Sequence, residues 1–239
     1  MPDSREVTCI VGVGPGLGAA LAKRFAKEGH AVALLSRSAR HREPVAREIS
    51  RHGGAALGYD CDAGKPDSVR AAFARVRETL GEPRVLIYNA GSYAPGGLLE
   101  IDPERFESAW RANCYGGFLS VREVLPAMLE SGAGTLLFTG ATAALRGGAG
   151  FAGLAVGKFG LRALAQSLAR EFGPRGIHVI HAVIDGQIAT PSARERQPDR
   201  APETFLDPDT IAETYWQLHC QHPTAWTLEL DLRPHVESF

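Results

Sequence analysis

One turn constrains this chain more than any other feature: Gly12-Val13-Gly14-Pro15-Gly16-Leu17-Gly18, set between an apolar run and an amphipathic one. Val7 to Val13 reads as a first strand, and Leu17 to Lys27 as a helix with Leu17, Leu21 and Phe25 on one face. Glycine at these positions lets the backbone turn tightly and approach a pyrophosphate without a Cβ in the way. The free amides at the start of the helix then face the phosphates. A plain strand-to-helix turn would also use glycine, so the rest of the chain has to carry the distinction.

Short apolar runs continue to alternate with longer amphipathic segments, the pattern of a parallel sheet covered by helices. Strands are expected at Ala31 to Ser36, Ala55 to Tyr59, Val85 to Tyr88, Thr135 to Thr139 and Val179 to Ile184, with a last one at Trp226 to Leu230. Ser68 is placed to cap a helix carrying Val69, Phe73 and Val76 that stops near Gly81. Longer helices are expected over Glu104 to Leu129 and Phe151 to Phe172, and a short one over Asp209 to Gln221. The Pro- and Arg-rich stretch from Pro191 to Pro208 reads as an irregular, mobile lid. With no repeat, low-complexity tract or composition break, 239 residues are expected to form one α/β domain, a doubly wound parallel sheet.

Charge excludes some partners. A net charge of -1 with dispersed basic residues gives no electrostatic case for nucleic acid or an anionic membrane. No run of about 20 apolar residues is present, and the first residues lack the apolar core of a secretory leader. Cys9, Cys61, Cys114 and Cys220 lie far apart without metal-ligand spacing, which fits reduced thiols in a cytoplasmic protein. No metal is expected.

The glycine spacing, GxxxGxG, resembles that of the short-chain dehydrogenase/reductase family, and further motifs follow in order. Asn89-Ala90-Gly91 is similar to the family's NAG motif, and Asp62 to the acidic residue that holds the adenine amino group. Asn113 falls where an asparagine commonly holds a water in the central helix. Lys158 stands in LAVGKFGLRALAQSLARE, which looks like the active-site helix, and Gly186, Ile188 and Thr190 fall in a PGxxxT-like loop at the nicotinamide end. The resemblance implies a Rossmann-type fold, a dinucleotide bound by Gly12, Gly14, Gly16, Leu17, Gly18, Asp62, Asn89, Ala90, Gly91, Lys158, Gly186, Ile188 and Thr190, a small-molecule substrate, and a homodimer or homotetramer. Where members preferring NAD carry an acid after the second strand, this chain has Ser36 and Arg37, with Arg40 and Arg42 close behind. A guanidinium pairs bidentately with phosphate, so NADP is the expected cofactor. The alternative for these arginines is a solvated helix face.

The chemistry departs from the pattern. The family's proton-handling tyrosine stands four residues before the lysine, where this chain has Leu154. The position seven residues before, used by some enoyl reductases, is Phe151, and the family serine is Ala141. None of these side chains can move a proton. Lys158 and Asn113 remain, the first to hold ribose hydroxyls and the second more for structure than for chemistry. Among possible substitutes, Thr142 reaches the site only if the turn from Gly140 to Ala144 is irregular. Asp185, where the family usually has proline, reads first as a cap on the next loop and second as a partly desolvated acid. His181, Tyr93 and Tyr115 also fall near the expected pocket. The leading expectation is an NADP-dependent oxidoreductase of altered mechanism, suited to an imine, iminium or conjugated substrate. Beside it stand a non-redox enzyme (isomerase, cyclase or lyase) that uses the same pocket, and a catalytically silent NADP-binding protein.

Overall fold

The computed structural model describes residues 5–237. Seven parallel strands form the central sheet: β1 (Val7–Val11), β2 (Ala31–Ser36), β3 (Ala55–Asp60), β4 (Pro83–Tyr88), β5 (Gly134–Thr139), β6 (Ile177–Ile184) and, last in the chain, Glu229–Leu232. Their order across the sheet is β3-β2-β1-β4-β5-β6, with the last strand outside β6. The winding therefore reverses between β1 and β4, and the strands there end on opposite-going connections that leave a crevice. Every residue of β1, β5 and β6 is buried, His178 and His181 of β6 included, as in a sheet covered on both faces.

Helices cover both faces in a Rossmann-type, doubly wound arrangement. On one face, α1 (Leu17–Lys27) and α2 (Ala39–Arg51) flank the sheet with a C-terminal helix, Pro208–His219, packed on α1. On the other lie α3 (Pro66–Thr79), α4 (Pro103–Trp110), α5 (Gly116–Ser131) and α6 (Ala152–Phe172). After β6 come a short strand β7 (Gln187–Ile188), α7 (Pro191–Arg196) and β8 (Phe205–Leu206), so the C-terminal helix is α8 and the last strand β9. Among the described residues, no helix is long and apolar enough to cross a membrane.

Several boundaries differ from expectation for local reasons. The first strand stops at Val11 because Gly12 turns to φ +99°, where a Cβ would lie 2.4 Å from the Ala90 nitrogen. Ser68 is not the cap of α3: Pro66 opens the helix earlier, and the Ser68 hydroxyl instead accepts from the Asp62 amide at 2.9 Å. The long central helix is interrupted by one π turn, Arg111–Tyr115, between α4 and α5. The last strand begins later than Trp226, whose ring is occupied in stacking on His178 at 4.6 Å. The stretch 191–208 is more regular than expected. Thr190 caps α7, β8 pairs with β7, and Arg194 and Arg200 lie over the Phe205 ring at 5.1 and 4.9 Å. The helix α2, with Pro44 inside it, had no counterpart in the expected elements.

Candidate cofactor and active site

The crevice at the winding reversal holds a cavity of about 550 Å³, within the range of small-molecule sites. Its floor is the glycine turn and the end of β4. Gly12, Gly14, Asn89, Ala90 and Gly91 line it, and the Asn89 amide donates to the Gly12 carbonyl at 2.9 Å, binding the two loops together. A Cβ on Gly14 would meet open space. Helix α1 begins at this turn with no side chain capping it and no acid in its first turn, so its leading amides are left for an anion. Leu17 and Gly18 do not line the cavity. Leu17 packs in the core, and Gly18 lies so close to Gly12 that a Cβ would stand 2.7 Å from its carbonyl oxygen.

The other walls separate the expected cofactor ligands. Ser36, Arg37 and Asp62 line the cavity, joined by Ser38 and His41 from the start of α2. Arg42 does not: its guanidinium turns inward to the Ser36 carbonyl at 3.0 Å and the Asp60 carboxylate at 2.5 Å, a buried brace between β2 and β3. Arg40 is exposed and also outside the lining. Asp62 is held by its own turn, accepting from the Gly64 amide at 3.1 Å. Gly16 and Thr190 are outside the lining but pack on each other, the Thr190 methyl lying 2.5 Å from where a Cβ on Gly16 would stand. Gly186, at φ +154°, and Ile188 belong to that same loop, where β7 pairs with β8.

Around the active-site helix the parts are tightly packed. Gly157 lets α6 press against the π turn, since a Cβ there would lie 2.5 Å from the Asn113 Cβ. Asn113 is fully buried and donates to the carbonyls of Ser92 at 2.8 Å and Ala109 at 2.9 Å, while its Oδ1 accepts from the Ser92 amide at 3.2 Å. Lys158 is buried, its Nζ donating to the Thr139 carbonyl at 2.8 Å, and burial pulls its ammonium down to about 8. A Cβ on Gly91 would lie 3.2 Å from Asn113 Oδ1 and 3.7 Å from Lys158 Nζ, so the NAG loop, the π turn and the lysine meet at one point.

Residues 6–201 match the family described as short chain dehydrogenase. The chain belongs to that family. It is 32% identical over 193 residues to the short-chain reductase protein NovJ of Streptomyces niveus, covering 81% of this chain and 73% of that protein. It is 35% identical over 178 residues to a cis-1,2-dihydrobenzene-1,2-diol dehydrogenase of Pseudomonas putida, covering 71% of this chain but only 62% of that one. A short-chain dehydrogenase structure from Rhodopseudomonas palustris superposes with a TM-score of 0.84 at 37% identity, covering 96% of this chain and 99% of that one. An actinorhodin polyketide ketoreductase solved with NADPH gives 0.89 at 25% identity over the full length of both chains.

In this short-chain dehydrogenase chain, Leu154 stands half-buried one turn before Lys158, and Phe151 is exposed at the head of α6. Ala141 is extended and the chain then enters a 3₁₀ turn, Thr142–Ala144, so the loop is irregular in the way that frees Thr142. The Thr142 hydroxyl donates to Asp185 Oδ1 at 2.5 Å, and the Arg233 guanidinium lies 3.5 Å from Asp185 Oδ2. These two sequence candidates are therefore partners. Other candidates leave the site. Tyr115 is stacked between Trp110 and Phe118, outside the cavity. His181 is fully buried under Gly140, 3.4 Å from Glu229, and burial chiefly pulls it down to about 4. Tyr93 is exposed against Phe151. Sequence reasoning passed over His41 and Arg233 as site residues, because each is delivered by an element, α2 or the turn after β9, whose position depends on the assembled sheet.

Proposed function

We propose that this chain is an NADP-dependent oxidoreductase that works without the phenol of its relatives, on an apolar imine, iminium or conjugated substrate. The observation that carries the proposal is Leu154 one turn before a buried Lys158, beside a cofactor cavity that keeps its glycines and Arg37. The uncapped start of α1 and the open side of Gly14 fit a pyrophosphate, and Arg37, Ser38 and His41 together fit a 2′-phosphate. NADP or NADPH complexes among similar solved structures support the same cofactor for this chain. When bound, NADPH supplies a hydride to the substrate.

The chain's own residues do the rest. Lys158 and Asn113 hold the nicotinamide end, the lysine by donating to ribose hydroxyls and the asparagine by fixing Ser92 and the NAG loop. Because the Thr142 proton is committed to Asp185, its oxygen lone pairs remain to accept from a substrate N–H. The Asp185 carboxylate behind it, though shared with Arg233, adds negative charge on that side, and an iminium needs no positioned acid to take a hydride. The segment 191–208 acts as the lid, and Thr190 just before it packs against Gly16 of the glycine turn. A dimer or tetramer is proposed on the family's behaviour.

The test is loss of NADPH absorbance over ketones, cyclic imines or iminium ions, and enones. Turnover of an imine or enone well above that of simple ketones supports the reading. Ketone reduction at the rates of a tyrosine-bearing enzyme would overturn it. Product formed without consuming cofactor would assign a non-redox reaction instead, and tight NADPH binding with no turnover a binding protein.

A further inference from the structure

At the opposite end of the strands from the cofactor cavity, three side chains converge that the proposed reaction does not use. Glu6 precedes β1, His30 precedes β2, and His219 is the last residue of α8. One ligand atom from each lies within 4.8 Å of the other two. We propose that Glu6, His30 and His219 form a site for one divalent transition-metal ion of the zinc class.

The hydrogen bonding around the rings favours this over a plain aromatic cluster. Nδ1 of His30 is 2.7 Å from the Thr8 hydroxyl, and Nδ1 of His219 is 2.9 Å from the Thr135 hydroxyl. Each ring is thus oriented from behind by a hydroxyl oxygen able to accept from Nδ1–H, the kind of outer partner that orients a metal-bound imidazole with Nε2 turned to the ion. His30 Nε2 already faces the Glu6 carboxylate at 3.9 Å. Packing alone accounts for the edge-on contacts of the His30 ring with Phe25 and Trp216, at 5.6 and 5.5 Å, but not for a carboxylate facing it.

Two imidazoles and a carboxylate make a borderline donor set suited to zinc, with the fourth position left to water. Coordination at about 2.0–2.1 Å requires the three atoms to draw together. Glu6 supplies that freedom, since its side chain is 55% exposed and the ion enters from its side. The competing cation is Arg84, whose Nε lies 4.0 Å from Glu6 while its Nη1 is held by Ser131 and Ala133. An occupied site would pin the end of α8 to the starts of β1 and β2. Its role is therefore structural, and cofactor binding at the far end of the strands does not depend on it.

The experiment titrates Zn²⁺, and separately Co²⁺, into the full chain after chelator treatment, with calorimetry, visible absorption and thermal melts as readouts. One equivalent of Zn²⁺ is expected to bind saturably. At a free ion concentration one hundredfold above the dissociation constant, the unfolding constant should fall about 100-fold. The Co²⁺ spectrum should show nitrogen and oxygen ligation without thiolate charge transfer. His219→Gln should remove the saturable binding and Glu6→Gln should weaken it at least tenfold, with NADPH affinity unchanged in both. Glu6 is on the surface, so its variant decides the matter even if His219→Gln fails to fold. Cys220→Ser, next to His219, should bind as the wild type does. The proposal falls if no saturable binding occurs, if Glu6→Gln binds as tightly as the wild type, or if Cys220→Ser abolishes binding.

Discussion

Arg37 and Leu154 are single residues on which two separate properties turn. Arg37 is the one guanidinium of its local run that lines the cavity, since Arg42 is spent on Asp60 and the β2 carbonyl and Arg40 points elsewhere. Its loss should therefore remove the charge that distinguishes a 2′-phosphate from a hydroxyl. Arg37→Ala is expected to weaken NADPH at least tenfold and leave NADH nearly unchanged, as read by calorimetry; equal affinities in the wild type would refute the assignment. Leu154 tests the chemistry. Leu154→Tyr places a phenol one turn before Lys158, and Ala141→Ser adds the hydroxyl that orients a carbonyl. The double variant should reduce activated ketones about 10²- to 10⁴-fold faster than the wild type, the usual worth of a positioned acid. A thermal melt should accompany it, because over-packing at a half-buried position costs roughly 1–3 kcal/mol. A wild type as fast as the folded double variant would mean that another group supplies the proton, and Asp185→Asn would then be the informative variant. At this scale the sequence was legible where motif spacing fixes position: Leu154, Lys158 and Asn113 needed only counting. The Thr142–Asp185 bond was not, because alternation along β5 alone would have turned Thr142 away.

Between α4 and α5 an element and its site are hard to separate. The π turn exists where Asn113 donates its side chain to the Ala109 carbonyl, one turn back, and reaches out to both polar groups of Ser92. Helical periodicity gave a single helix over 104–129 because a π turn adds one residue without changing which residues are apolar. The same local logic made α1 legible to the residue, since a glycine turn and a three-residue apolar face bound it on both sides. It failed for α2, whose Arg-rich, Pro-containing sequence carries only Val45 and Ile49 as large buried apolar anchors. Asn113→Ala removes three hydrogen bonds and leaves the Ser92 amide and carbonyl and the Ala109 carbonyl to find other partners. A buried polar group without a partner costs about 1–3 kcal/mol. We therefore expect a lower melting temperature and, because Ser92 continues the NAG loop, weaker NADPH binding. Unchanged cofactor affinity in a destabilised variant would restrict Asn113 to holding the fold.

Across the whole molecule, the sheet keeps its two ends apart: the strand C-termini carry the cofactor cavity, His30 and His219 lie at the N-terminal end, and His178 and His181 are buried along β6. His181 sits on β6 at the centre of that arrangement, under the loop that carries Thr142. Glu229 of β9 faces it at 3.4 Å, and Arg162 and Lys158 of α6 add positive charge nearby. Arg162 donates to both Glu229 oxygens at 2.6 Å, which leaves the carboxylate committed to α6 and holds it below the usual carboxylate range. Burial, the largest cause, pulls His181 from 6.5 to about 4, so the native state holds it neutral while the unfolded chain takes up a proton. The unfolded state then binds more protons between these values, and stability falls as pH drops from about 6.5 towards 4, with the full contribution present above 6.5. At 1.36 kcal/mol per unit, the stability lost across this window is of order 3 kcal/mol, a sizeable part of a typical domain's stability. His181→Leu should flatten the decline in melting temperature over that window compared with the wild type, and denaturant melts at pH 7 and pH 5 should show the wild type losing more stability than the variant. Parallel pH dependence in the two proteins would show that His181 takes up its proton without unfolding β6 from β9. In that case the acid sensitivity would have to arise away from the sheet edge that supports the Thr142 loop.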